Sequence, residues 1–253
     1  MFLDKNLLKR SLFIDIETVS EYPDYESLPD VKKQLWKTKS EQLKRTFYGH
    51  DQDKTEAEIY TAKAGIFAEF SKVVCISMGF LSFEHGEPVG VRLKSLAGIE
   101  EHRILEDFAR ILINHYNDPE NSRICGHNIK EFDIPFLCRR MVVNQIQFPP
   151  VLDISGKKPW QTGHILDTMD MWRFGDYKNY TSLQLLAGAL NIESPKDDID
   201  GSMVGDVFWK DEDIDRIVSY CQKDVVTVVQ IMIRFAGLPL FSSEDIEYLN
   251  QKE

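Results

Sequence analysis

Apolar positions along this chain change their period several times, and each change marks an element. Residues 11–16 (SLFIDI) form a short apolar run that ends in acids, the pattern of a buried strand. Residues 21–48 begin with turn formers and become helical, with Leu35, Leu43 and Phe47 set inward among lysines; a second helical stretch covers about 53–70. Residues 72–83 are rich in β-branched side chains and predict a strand, with 89–93 returning as its hairpin partner. Helical spacing follows over 99–116 (Ile99, Ile104, Leu105, Phe108, Leu112). Residues 123–126 are a short strand, succeeded by a turn and a helix over about 133–144. Pro149, Pro150 and Pro159 make 145–163 an irregular excursion, and 164–168 is a candidate strand. Residues 182–190 read as a short helix capped by Thr181 or Ser182, and 211 to about 235 as a long one with acids at its start. A first strand, a strand ladder, then alternating helices and strands predict an α/β fold with a mixed sheet flanked by helices.

Composition narrows this picture. The 253 residues, 43% hydrophobic and 28% charged, fit a globular protein, and no linker or repeat divides them. One domain over 1–253 is expected, with a helical insertion at about 21–70. Charges interrupt the opening MFLDKNLLKR, unlike a signal peptide, and no apolar run is long enough to span a bilayer. A cytoplasmic location without membrane contact is therefore expected. Cys75, Cys125, Cys138 and Cys221 form no C-x-x-C pair and read as buried free thiols. The net charge of −11 argues against coating duplex DNA by bulk attraction. It is compatible with an enzyme that gathers carboxylates around cations, since bound ions reverse the sign a phosphate meets.

Three segments carry candidate chemistry. Asp15 and Glu17 are two residues apart on a strand, so both side chains share one face at the strand end, where they can share a cation. In a chain with 41 acids such a pair also arises by chance. Asp133 follows a glycine turn (GHNIKEFD) at the start of a helix, with Pro135 just inside it. Read alone, it is as well explained as a first-turn acid satisfying free amides. Tyr220 and Asp224 lie one helical turn apart, flanking a stripe of Ile217, Cys221, Val225 and Val228. Together, four carboxylates from a strand end and two helices can neutralise two divalent ions, which clamp the attacking and leaving oxygens of a phosphodiester. A phenol beside them can orient the water.

FIDIET, GHNIKEFD and YCQKD resemble the three exonuclease motifs of the DEDD superfamily. The tyrosine subclass has Tyr four residues before the last Asp, as here; the histidine subclass needs His five before it, where Ser219 stands. KAGIFAEFSKVVCISMGF, HILDTMDMWRFG and SPKDDIDGSMV resemble the 3′–5′ exonucleases related to the proofreading domain of family B DNA polymerases, over roughly residues 11–240. The resemblance implies a ribonuclease H-like fold and two Mg²⁺ or Mn²⁺ ions on Asp15, Glu17, Asp133 and Asp224, with Tyr220 positioning the water. It implies that Thr18 contacts the terminal nucleotide and that Asn128 and Phe132 line the path of the strand. The expected substrate is the 3′ end of a single-stranded nucleic acid, DNA favoured over RNA. No polymerase segment is present, so replication or repair proteins are expected as partners in trans, with the oligomeric state open.

An exoribonuclease, a carboxylate-metal endonuclease of the same fold and a silent nucleic-acid-binding module remain alternatives. The basic stretch Lys32, Lys33, Lys37, Lys39, Lys44 and Arg45 reads as a solvated helix face. His127 and His164 read as structural, and Asp167 as a turn or strand-end acid, while Tyr177 and Tyr180 sit on a loop where they can meet bases.

Overall fold

The computed structural model describes residues 3–46, 52–178, 180–193 and 198–249. Phe47 and Ser194–Asp197 of the segments discussed above lie outside them. The chain runs β1 (Ser11–Ser20), α1 (Asp30–Thr46), α2 (Glu56–Lys63), β2 (Ser71–Glu84), β3 (Glu87–Ala97), α3 (Glu101–His115), β4 (Arg123–Gly126), α4 (Asp133–Val143), β5 (Ile165–Asp167), α5 (Thr168–Arg173), α6 (Leu183–Ala189), α7 (Val204–Asp206), α8 (Ile214–Phe235) and β6 (Ile246–Tyr248). Among the described residues the strands form one six-stranded sheet in the order β5-β4-β1-β2-β3-β6, in which β2 alone runs against the others.

The alternation of β1 decides which helix covers which face. Leu12, Ile14 and Ile16 join Ile104, Phe108, Ile134 and Leu137 in a core beneath α3 and α4. Phe13 joins Val225, Val228 and Met232 in a second core beneath α8. Asp15 and Glu17 share Phe13's parity, so both acids turn toward α8. Gly79 lets that helix sit close: a Cβ there would lie 2.8 Å from Val225 Cγ1. A buried ion pair fastens the other layer. Arg140 of α4 donates from Nε and Nη2 to the Glu101 carboxylate of α3 at 2.9 and 2.6 Å, and from Nη1 to the Ala68 carbonyl at 2.7 Å. Glu101 also accepts the Val73 N–H of β2 and the Asn144 amide, which leaves it no unsatisfied oxygen.

Several elements depart from the periodicity. The hairpin strands are longer than expected, because His85 and Gly86 both adopt positive φ (50° and 86°) and close them with a two-residue turn. The edge strand β6 has only three residues, too few for a pattern; it packs against Gly90, where a Cβ would lie 2.5 Å from the Asp245 carbonyl oxygen. In α1 the inward residues are Trp36 and Leu43, whereas Leu35 is exposed. Trp36 fills a small separate core with Leu28, Ile59, Tyr60 and Phe70, and its indole donates to the Glu56 carbonyl at 2.9 Å, so it displaces Leu35 from the inward face. Cys138 is only partly buried, unlike the other three thiols. Among the described residues no helix is long and apolar enough to cross a membrane.

Candidate active site

The chemistry gathers at the middle of β1. The strand runs on past both acids to Ser20, because Thr18, Val19 and Ser20 continue the ladder with β2, so the expected strand end at Ile16 is not where the strand stops. The strand's register against β2 slips just after Glu17, which pairs with Cys75, while Thr18 pairs with Val73. Irregularities of this kind re-aim side chains. Beyond Gly126, β4 stops covering β1, and the Asp133 carboxylate accepts the Ile16 N–H as well as its own. Asp133 is thus held by the backbone residue between the two β1 acids. From the opposite layer, α8 brings Asp224, whose carboxylate accepts the Tyr220 hydroxyl.

The structure brings Asp15, Glu17, Asp133 and Asp224 together. Burial raises the Asp15 carboxyl well above the ordinary range, and the charges of Asp224, Glu17 and Asp133 raise it further. Glu17 is raised in the same way by burial, then by Asp224, Cys75 and Asp133. Burial lifts Asp133 to about 7 against the pull of its two backbone N–H bonds, with Asp167 adding to the rise. Tyr220 is raised by burial and by Asp224, Glu17 and Asp15. Glu17, Asp133 and Tyr220 are 8%, 5% and 7% exposed, so these charges are poorly screened. Like charges buried together are costly unless cations join them.

Thr18, Phe132 and Glu17 line one cleft of about 260 Å³, whose other walls are Thr61 of α2, Ile66 just after it, and Gly201 and Gly205 before α8. The Thr18 hydroxyl is already committed, donating to the Gly65 carbonyl at 2.7 Å. Asn128 is not among the residues lining this cleft; it adopts φ 58° in the turn, and its Oδ1 is buried without a hydrogen-bond partner. Tyr177 and Tyr180 are exposed, whereas both histidines are fixed: His127 between the Thr168 hydroxyl and the Thr181 carbonyl, and His164 on the Val151 carbonyl.

Two features escape the motifs. Cys221 donates its thiol to Asp15, so Asp15, Glu17 and Cys221 present ligand atoms within 4.8 Å of one another. Asp167, buried at the end of β5, accepts the N–H groups of Asn128 (3.0 Å), Lys130 (3.1 Å) and Met169 (3.0 Å). It therefore clamps the turn that delivers Asp133. Its place after an apolar run (HILD) was the available signal, but its partners in the turn, Asn128 and Lys130, lie about forty residues away in sequence, beyond any local pattern.

A mixed sheet whose central strand carries two acids, flanked by helices that supply two more, is the ribonuclease H-like fold of polymerase exonuclease domains. Residues 66–244, more than half of the chain, match the family of predicted 3′–5′ exonucleases related to the exonuclease domain of PolB, and the chain belongs to that family. Among solved structures it is similar in fold to the family B DNA polymerase from the hyperthermophilic archaeon Pyrobaculum calidifontis, at 13% identity and a TM-score of 0.55. That likeness covers 89% of this chain and 24% of the polymerase. No curated protein matches the sequence.

Proposed function

We propose that this chain removes nucleotides from the 3′ end of single-stranded nucleic acid, DNA by preference, with two Mg²⁺ or Mn²⁺ ions held by Asp15, Glu17, Asp133 and Asp224. The observation that carries the reading is the convergence of these four acids from β1, α4 and α8 with their charges in one another's field. The donors suit the ions: carboxylate oxygens are hard ligands, and the proton affinities of Asp15, Glu17 and Asp133 are raised first by burial and then by neighbouring negative charge that a cation would offset. When bound, the ions would supply Lewis acidity and neutralise charge developing on the scissile phosphate.

The chain's own groups do the rest. Tyr220, whose hydroxyl is donated to Asp224 in the metal-free protein, would hold the attacking water by that hydroxyl. Asp133 keeps the Ile16 backbone fixed, which sets the spacing of Asp15 and Glu17. Phe132 and Ile66 face the cleft beside Glu17 and give the terminal base an apolar seat, while Gly201 and Gly205 leave room for its sugar. We read the whole chain as one domain, with residues 21–70 as an insertion whose small core supports one wall of that cleft. The preference for DNA, and an intracellular role in proofreading or repair beside other proteins in trans, rest on the likeness to a DNA polymerase. Matched 5′-labelled DNA and RNA oligonucleotides, incubated with the protein and Mg²⁺ or Mn²⁺, test this reading. Faster shortening of DNA supports the preference; equal or faster shortening of RNA overturns it.

A further inference from the structure

A larger cleft, of about 600 Å³, lies on the other face of the sheet from the acids, toward the start of β1. It arises because the β2–β3 hairpin outruns α3. The helix stops at His115, while Met78, Phe80 and Lys94 continue the same sheet face past its end. Leu12 and Met78 are buried in its floor, and the rings of Phe80 and Tyr116 are half-buried beside them.

The charge around this cleft runs against that of the whole chain. Lys9, Arg10 and Lys94 stand exposed on its rim, and among the described residues none of them makes an ion pair. Arg92, on the same sheet face, is by contrast committed to Glu247 at 2.8 Å. One acid, Asp118, also lines the cleft; its carboxylate is bound to the Glu120 N–H and the Asn121 amide, and Arg10 lies in its field. Three cations against one locally satisfied carboxylate, in a protein of net charge −11, make a local positive spot over an apolar floor. Surface lysines usually scatter; here they ring a cavity whose volume falls within the roughly 300–1,000 Å³ that small-molecule sites occupy.

We propose that this cleft binds a nucleoside 5′-monophosphate, with the phosphate among Lys9, Arg10 and Lys94 and the base against Phe80 and Tyr116. An anion is required by the rim and a flat apolar body by the floor and rings, and the nucleotide supplies both. The choice of a nucleotide rests on the exonuclease reading, which releases one such molecule per cycle. The site would sense product on the face of the sheet turned away from the acids.

Isothermal titration calorimetry of the full chain with deoxyadenosine 5′-monophosphate, in excess EDTA, tests the proposal without cations at the acid cluster. Saturable binding is expected, at least about tenfold tighter than that of inorganic phosphate or of deoxyadenosine. Lys9→Glu combined with Lys94→Glu should weaken it by at least about tenfold at an unchanged melting temperature, and Asp224→Asn should leave it intact. Absence of saturable binding overturns the proposal. So does equal binding of inorganic phosphate, or binding that Asp224→Asn abolishes and the lysine variant retains. Exonuclease activity measured on the same preparation separates the two readings. Nucleotide binding by an inactive chain counts against the nuclease alone, and an active chain that binds no nucleotide counts against this cleft alone.

Discussion

The Cys221 thiol lies 3.3 Å from Asp15 Oδ2 and 3.4 Å from the Asp15 carbonyl oxygen, joining α8 to the central strand at the acid cluster. Behind it runs a buried polar chain. Cys75 meets Cys221, Ser77 lies 3.7 Å from Cys75, Ser95 lies 2.9 Å from Ser77, and the Gln222 amide donates to Ser95 at 2.9 Å. Asp15 therefore has a fixed orientation on its protein side, and its remaining lone pairs are available to a cation. In the metal-free protein the same contacts hold Asp15 in place against the charges of its neighbours.

Asp224→Asn should abolish exonuclease activity and raise the melting temperature of the metal-free protein, because one of four clustered like charges is gone. Added Mn²⁺ should then raise the melting temperature of the parent more than that of the variant, by mass action on the folded state. Equal metal-induced shifts would place Asp224 outside the site.

Tyr220→Phe should lower turnover by about 10²–10³-fold, the scale of losing one positioning hydrogen bond. The ring stays packed against its neighbours, so stability should change by less than about 1 kcal/mol. Metal-induced stabilisation should survive. Single-turnover rates on a 5′-labelled oligonucleotide decide the matter, and a variant within about twofold of the parent has lost no positioning contact.

The raised proton affinity of Asp133 gives the metal-free protein a pH signature. An acid whose folded pKa exceeds its unfolded value binds its proton more tightly when folded. That stability is complete below the unfolded pKa of about 4 and is lost as pH rises through about 7. In EDTA, the parent should therefore lose stability relative to Asp133→Asn between those pH values. Metal affinity should rise over the same window, since the ligands must shed their protons. Parallel melting curves for the two proteins across that range would contradict the assignment.

Asp167→Asn places an amide where the Lys130 N–H needs an acceptor, loosening the turn that delivers Asp133. Metal affinity or activity should fall by about 10–100-fold, the usual effect of a supporting partner. Asp167→Glu keeps the charge with a displaced carboxylate and should be intermediate. Calorimetric Mn²⁺ titrations of the three proteins report this directly, and unchanged affinity would reduce Asp167 to a strand-end acid.

Removing one partner of the buried Arg140–Glu101 pair should destabilise the fold by about 3–5 kcal/mol, because the other charge is left uncompensated. Chemical denaturation of Glu101→Gln measures it. A loss below about 1 kcal/mol would mean that water reaches the site.

The candidate acids were legible because local patterns mark the elements that carry them, although only Asp133 stands at an element end. SLFIDI announces a strand that carries carboxylates, though it runs on to Ser20, and Tyr220 and Asp224 are one helical turn apart beside a stripe that α8 does bury. What stayed hidden depends on distant partners. Leu35 and Trp36 are adjacent in a lysine-rich helix, and only the small core formed with Ile59 and Tyr60 turns the tryptophan inward. Thr61, Ile66, Gly201 and Gly205 meet Glu17 across one cleft, although more than a hundred residues separate the two pairs. β6 exists through pairing with β3 rather than through its own three residues.

The central claim is tested most directly by following one single-stranded DNA, labelled at its 5′ end, with the protein in Mg²⁺ and in excess EDTA. The account predicts a ladder that shortens one nucleotide at a time from the 3′ end in Mg²⁺, no cleavage in EDTA, and no cleavage in either by Asp15→Asn. Undiminished degradation in EDTA, release of the label as a mononucleotide in the first turnover, or an Asp15→Asn variant as active as the parent would contradict it.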